Sequence, residues 1–186
     1  MMRMQRKMSQ LLNVDIQDKV LAPIPNKQDI VDGVVRLVGA AKVLDVPITI
    51  SEHYPKGLGP TVEAVRTAIG DGGSFFEKLE FSGLMNEALR RHLEDHRDHG
   101  RGQIVVAGIE THVCVGQTAL DLIADGYEVF VAADAVGSRA ETSRALALRR
   151  LERCGAFIVD SEMVLFEWLG AAGTPEFNAL LPLIKK

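Results

Sequence analysis

Six short runs of β-branched and aliphatic residues alternate along this chain with longer segments, most of which carry helical spacing. The runs are Leu11–Ile16, Pro47–Ser51, Ser74–Lys78, Gln103–Ala107, Glu128–Ala133 and Ala156–Asp160. Stretches such as QIVVAG and YEVFVAA are apolar on both faces of an extended chain. A strand of that kind must be covered on both sides, which predicts a parallel sheet with helices on each face and not a half-exposed antiparallel one. Gln28–Leu44 offers one cover, with Ile30, Val34, Leu37, Val38 and Ala41 as a stripe, and Thr142–Arg153 offers another, with Leu146, Leu148 and Leu151 among arginines. The segments EMVLFEWLG and TPEFNALLPLIKK predict two short closing helices, Gly170 stopping the first and Thr174 and Pro175 opening the second.

With 186 residues, 47% hydrophobic, and no repeat or linker, the expectation is one α/β domain over 1–186, residues 1–9 forming a flexible N-terminal extension. The net charge of -4 leaves no basic field for a phosphate backbone, so no nucleic acid partner is expected. Two cysteines, Cys114 and Cys154, are too few for a disulfide framework and suit a reducing compartment. The basic start MMRMQRKMSQ leads only into the short LLNVDI, and no apolar run reaches the ~20 residues of a membrane span. A cytoplasmic protein with no membrane partner is expected.

Ligands of an open parallel sheet bind beyond the carboxyl ends of its strands, where the strand order reverses. Polar residues fall at four such ends: Asp15 and Gln17; Glu52, His53 and Tyr54; Glu77 and Lys78; and the turn from Gly108 to Cys114. Cys114 occupies the first turn of a predicted helix, Val113–Ala124, where free N–H groups and the helix dipole favour a thiolate. Such a thiolate would be alkylated ahead of Cys154 in mild acid, and the same N–H groups could hold an oxyanion. A cysteine between Val113 and Val115 also fits a small buried hydrophobe, and Cys154 has only that role to offer. His112, two residues away on a helix, does not face Cys114. Asp15 is the better base, although a carboxylate capping a βα turn would look the same. Lys78 could orient that acid or simply be solvated.

These residues carry a resemblance. VDIQ on the first strand, the lysine of FEKLEFSGL, and GIETHVCVGQTALDLIADGYEVFVAADAVGSR resemble the isochorismatase-like cysteine hydrolase family. The last segment matches that family's Gly-hydrophobic-x-Thr-x-x-Cys-Val turn, followed by Asp134, Ala135, Ser138 and Arg139. EHYPKGLGPTVEAV further resembles the small isochorismatase-domain proteins, whose substrates are poorly defined. The resemblance implies a three-layer, Rossmann-like domain with a six-stranded parallel sheet in the order 3-2-1-4-5-6. It also implies an Asp15, Lys78, Cys114 triad, a cis peptide between Ile109 and Glu110, and an oxyanion hole of the Glu110 and Cys114 N–H groups. Nicotinamidases of this family hold a metal after the second strand. Here SEHYPKGLG offers Glu52 and His53 without a second nearby histidine, so no metal and no cofactor is expected. Gln17, Glu52, His53 and Tyr54 are then expected to line the substrate pocket.

His92, His96 and His99 share one helical face among charged residues, which reads as a solvated helix end. GLGPT matches neither a Walker loop nor GxGxxG and reads as a bend over the site. Arg139 suits either a substrate carboxylate or a tie to Asp134. The expected function is hydrolysis of a small-molecule amide-type C–N bond through an acyl-enzyme on Cys114. Ester, thioester or enol-ether hydrolysis and non-catalytic regulatory binding are the alternatives. A homo-oligomer, dimer or tetramer, is expected from the family, with Trp168, Phe177 and Leu181 either core or a self-association surface.

Overall fold

The computed structural model describes residues 3–184. Strands β1 (Ser9–Val14), β2 (Ile48–His53), β3 (Gly73–Lys78), β4 (Gln103–Ile109), β5 (Glu128–Gly137) and β6 (Phe157–Val159) form one parallel sheet in the order β3-β2-β1-β4-β5-β6. The helices are α1 (Asp18–Leu21), α2 (Lys27–Val43), α3 (Pro55–Leu58), α4 (Glu63–Ile69), α5 (Glu87–Asp98), α6 (Cys114–Ala124), α7 (Glu141–Arg153), α8 (Ser161–Leu169) and α9 (Pro175–Ile184). The order of strands reverses between β1 and β4, which places the switch point at their carboxyl ends.

Two cores explain why the central strands are apolar throughout. Leu11, Ile50, Val105 and Phe130 point to one face, where they bury Val34 and Leu37 of α2, Val164 and Trp168 of α8 and Leu180 of α9. Leu12, Ile104, Val106 and Val129 point to the other and meet Leu89 and Leu93 of α5, Val115, Ala119 and Leu122 of α6 and Leu151 of α7. Successive strand residues thus feed opposite cores, and each fully buried aliphatic side chain contributes about 1.5–3 kcal/mol. Among the described residues no helix is long and apolar enough to cross a membrane.

Three expectations change. Residues 3–9 are not a free extension: Met4 is fully buried, its N–H donates to Glu167 Oε2 at 2.7 Å, and Ser9 opens β1. Met1 and Met2 of that expected extension lie outside the described residues. The strand starts before Leu11 because two polar side chains are satisfied internally, Ser9 by the Gln5 carbonyl and Gln10 Nε2 by those of Leu93 and Arg101. Trp168 is core, donating Nε1–H to Ser9 Oγ at 2.9 Å, while Phe177 and Leu181 are half-buried. The α5 histidines are not a simple solvated face either, since the His92 ring packs between Phe76 and His96, with centroids 4.9 and 4.7 Å away.

Close contact of β1 and β4 depends on one glycine. Gly108 lies opposite Val14, has φ +115°, and sits where the β4–β5 register shifts. A Cβ there would fall 2.0 Å from the Val14 carbonyl oxygen, so backbone and not a flexible side chain blocks it. Gly108→Ala should therefore lower stability by about 3 kcal/mol in urea denaturation. An unchanged midpoint would contradict this account of the β1–β4 seam.

Candidate active site

The chain leaves β1 by turning sharply. Asp15 has φ +50°, its N–H donates to the Ser51 carbonyl at 3.0 Å, and its own carbonyl accepts from Gln17 N–H at 2.8 Å. The turn directs its carboxylate beneath the surface, where Asp15 is 1% exposed. Lys78, at the end of β3, reaches across the end of β2 and places Nζ 2.5 Å from Asp15 Oδ2. Two more contacts complete the cluster: Ser51 Oγ donates to Asp15 Oδ1 at 2.7 Å, and Lys78 Nζ donates to the Glu80 carbonyl at 3.1 Å. A buried ion pair is tolerated when such additional bonds satisfy both partners.

Cys114 is the first residue of α6 and 7% exposed. Val14 pairs with Gly108, six residues before Cys114, and Asp15 and Lys78 are the charged side chains that act on the Cys114 thiol. Burial, and then the Asp15 carboxylate, push the thiol up to about 12, against the smaller opposing pull of Lys78. This direction opposes the expected standing thiolate, because burial and the Asp15 carboxylate both favour the protonated thiol.

The turn before Cys114 contains a cis peptide between Ile109 and Glu110. Within it the Glu110 carbonyl accepts from both Val113 and Val115 N–H, and Thr111 N–H donates to the Gly137 carbonyl of β5. Among the described residues, the Glu110 and Cys114 N–H groups donate to no backbone carbonyl outside the regular elements. The Glu110 carboxylate accepts from Arg139 N–H at 2.9 Å and from Arg139 Nε at 3.1 Å. Asp134, the expected partner of Arg139, instead accepts from Ser161 N–H at 2.7 Å and pairs with Arg36 at 3.4 Å. His112 turns away from Cys114 to Ser138 Oγ, 3.0 Å from its Nδ1.

The four expected pocket residues divide. Gln17 is fully buried, donates Nε2–H to the His53 and Gly59 carbonyls at 3.1 and 2.5 Å, and accepts from His53 N–H at 2.7 Å. Glu52 Oε1 accepts from both N–H and Oγ1 of Thr61 at 2.7 Å, with Arg66 3.8 Å away. These two side chains clasp the loop carrying GLGPT and so hold the site's border. Among the described residues no three His, Cys, Asp or Glu side chains converge on a metal position. His53 stacks on Phe81 with centroids 5.7 Å apart, and half-exposed Tyr54 lines a 400 Å³ cleft with Pro55, Glu77, Lys78 and Leu79. Ser51, the Glu80 carbonyl and Phe81 were not expected at the site. Of these, Ser51 had a signal: a hydroxyl at the end of an apolar strand beside the one carrying Asp15.

Comparison with known proteins identifies the family of the fold. The family model described as the isochorismatase domain matches residues 9–163. The isochorismatase domain-containing protein 2 of Xenopus laevis is 40% identical over 95% of this chain and 83% of its own. The secreted isochorismatase effector Isc1 of Phytophthora sojae is 39% identical over 84% and 75%. A solved structure named as the MAR1 ribonuclease of Caenorhabditis elegans superposes with a TM-score of 0.92 at 32% identity, covering 100% of this chain and 93% of that one. The matched span holds every strand together with Asp15, Lys78 and Cys114, and on that ground the chain belongs to the isochorismatase domain family.

Proposed function

We propose that this isochorismatase-family chain is a cysteine hydrolase that cleaves a small-molecule C–N bond of the amide type. The observation that carries the proposal is the seating of Cys114 against a fully buried Asp15–Lys78 pair at the switch point of the sheet. Because the thiol is protonated at rest, attack and proton transfer go together: Sγ bonds to the carbonyl carbon while its proton passes to the Asp15 carboxylate. The Glu110 and Cys114 N–H groups receive the oxyanion. Collapse breaks the C–N bond as Asp15 returns the proton to the leaving amine. Water then attacks the thioester and gives its proton to Asp15, and the C–S bond breaks as Asp15 passes that proton to Sγ, which releases the acid and restores the Cys114 thiol. Lys78 holds the carboxylate throughout, and no cofactor enters the cycle.

Net charge favours a small molecule over a polyanion, and this supports the amide reading over the nuclease activity named for the worm protein. Both cysteines are free, which suits a reducing cytoplasm. We also propose a homo-oligomer, because Leu79, Phe81 and Met85 are 69, 54 and 70% exposed in one stretch at the site's border. Light scattering should give a multiple of 20.3 kDa, and a monomer would contradict the self-association.

Cys114→Ser should keep the circular dichroism spectrum and lose turnover on amide and ester panels by roughly 10³-fold or more. Full activity in that variant would overturn the scheme. Burial also sets an order of alkylation. Near neutral pH, iodoacetamide should modify exposed Cys154 before Cys114, with Cys114 reactivity climbing toward pH about 12. A Cys114 plateau at neutral pH would reveal a standing thiolate and contradict the protonated resting state.

A further inference from the structure

We infer that Ser51 is a positioning residue for the proton transfer, acting through Asp15; the inference rests on the hydrolase proposal. Two anchors fix the plane of the Asp15 carboxylate. Lys78 holds Oδ2 at 2.5 Å and Ser51 Oγ holds Oδ1 at 2.7 Å. The two anchors come from different strands, β3 and β2, and flank the carboxylate from one side, so the remaining acceptor directions are left for the thiol of Cys114.

Ser51 is itself placed with little freedom. It is 1% exposed, its backbone pairs with Val14 across the β1–β2 ladder, and its carbonyl accepts from Asp15 N–H at 3.0 Å. Side chain and main chain of one residue therefore grip side chain and main chain of the next strand's terminal acid. Without the hydroxyl, the carboxylate keeps only the lysine anchor and can rotate about its Cβ–Cγ bond. A proton acceptor displaced by a fraction of an ångström loses much of its rate advantage, while the pocket around it stays intact. Ser51 touches neither the thiol nor a reacting atom, so its effect must appear in the acylation step and not in binding.

The probe is p-nitrophenyl acetate, whose carbonyl would accept Cys114 Sγ, losing nitrophenolate while the thiol proton passes to Asp15. In Ser51→Ala the acylation rate constant at saturating ester should fall about tenfold, with the half-saturating concentration little changed. Ser51→Thr, which restores the hydroxyl, should recover most of that rate. Ser51→Cys, close in shape and a weak donor, should be as slow as the alanine variant and serves if alanine fails to fold. Mass spectrometry of the acylated peptide distinguishes the two levels of failure. No acyl group on Cys114 of the unaltered protein would overturn the hydrolase proposal and this one with it. Acylated Cys114 with Ser51→Ala and Ser51→Cys reacting as fast as the unaltered protein, or a threonine variant as slow as alanine, would overturn the role of Ser51 alone.

Discussion

Two opposite charges lie almost completely out of water at the centre of this molecule, Asp15 at the end of β1 and Lys78 at the end of β3. Isolated, each would carry a desolvation cost of several kcal/mol, so the surroundings must supply compensation. They do so by strand order. β2 lies between β1 and β3, its Ser51 bonds the acid, and its neighbour His53 pairs in register with Lys78. Gly108 lets β4 approach β1 closely enough to bring Cys114 in from the opposite side. The six-stranded arrangement is therefore the condition under which this pair can be buried at all.

The same burial decides the state of the thiol. A helix N-terminus contributes about 0.3–1 kcal/mol toward a nearby anion, up to ~2 in sheltered geometry. Raising a thiol from 9.0 to about 12 corresponds to roughly 4 kcal/mol in the other direction. Burial and the Asp15 carboxylate outweigh Lys78 and favour the protonated thiol. In the proposed scheme the proton therefore leaves sulfur during attack on a carbonyl, and not before it.

Layer architecture was legible in the sequence because alternation of apolar strands and helical stripes is a local property. The strand order and the Asp15, Lys78, Cys114 grouping rested on family resemblance, since no spacing within the chain says that residues 15, 78 and 114 meet. What escaped notice depended on side-chain direction over long separations. Glu52, expected to line the pocket, bonds Thr61 through Oε1, and Gln17 closes a loop through His53 and Gly59. Arg139 has a partner that neither expected role named, because Glu110, on the turn before Cys114, accepts from it while Asp134 bonds Ser161. The basic start reads as a loose tail, but the buried Met4 side chain and main-chain bonds to Glu167, Gln103 and Arg101 pin it down.

The central claim is that a carbonyl substrate becomes bonded to Cys114 through the agency of Asp15. Intact-protein and peptide mass spectrometry after incubation with small-molecule pools tests it directly, with Asp15→Asn run in parallel. An acyl adduct confined to Cys114 and absent or strongly diminished in Asp15→Asn is the predicted result. An adduct on Cys154 alone, or equal labelling of Cys114 in Asp15→Asn, would contradict the account.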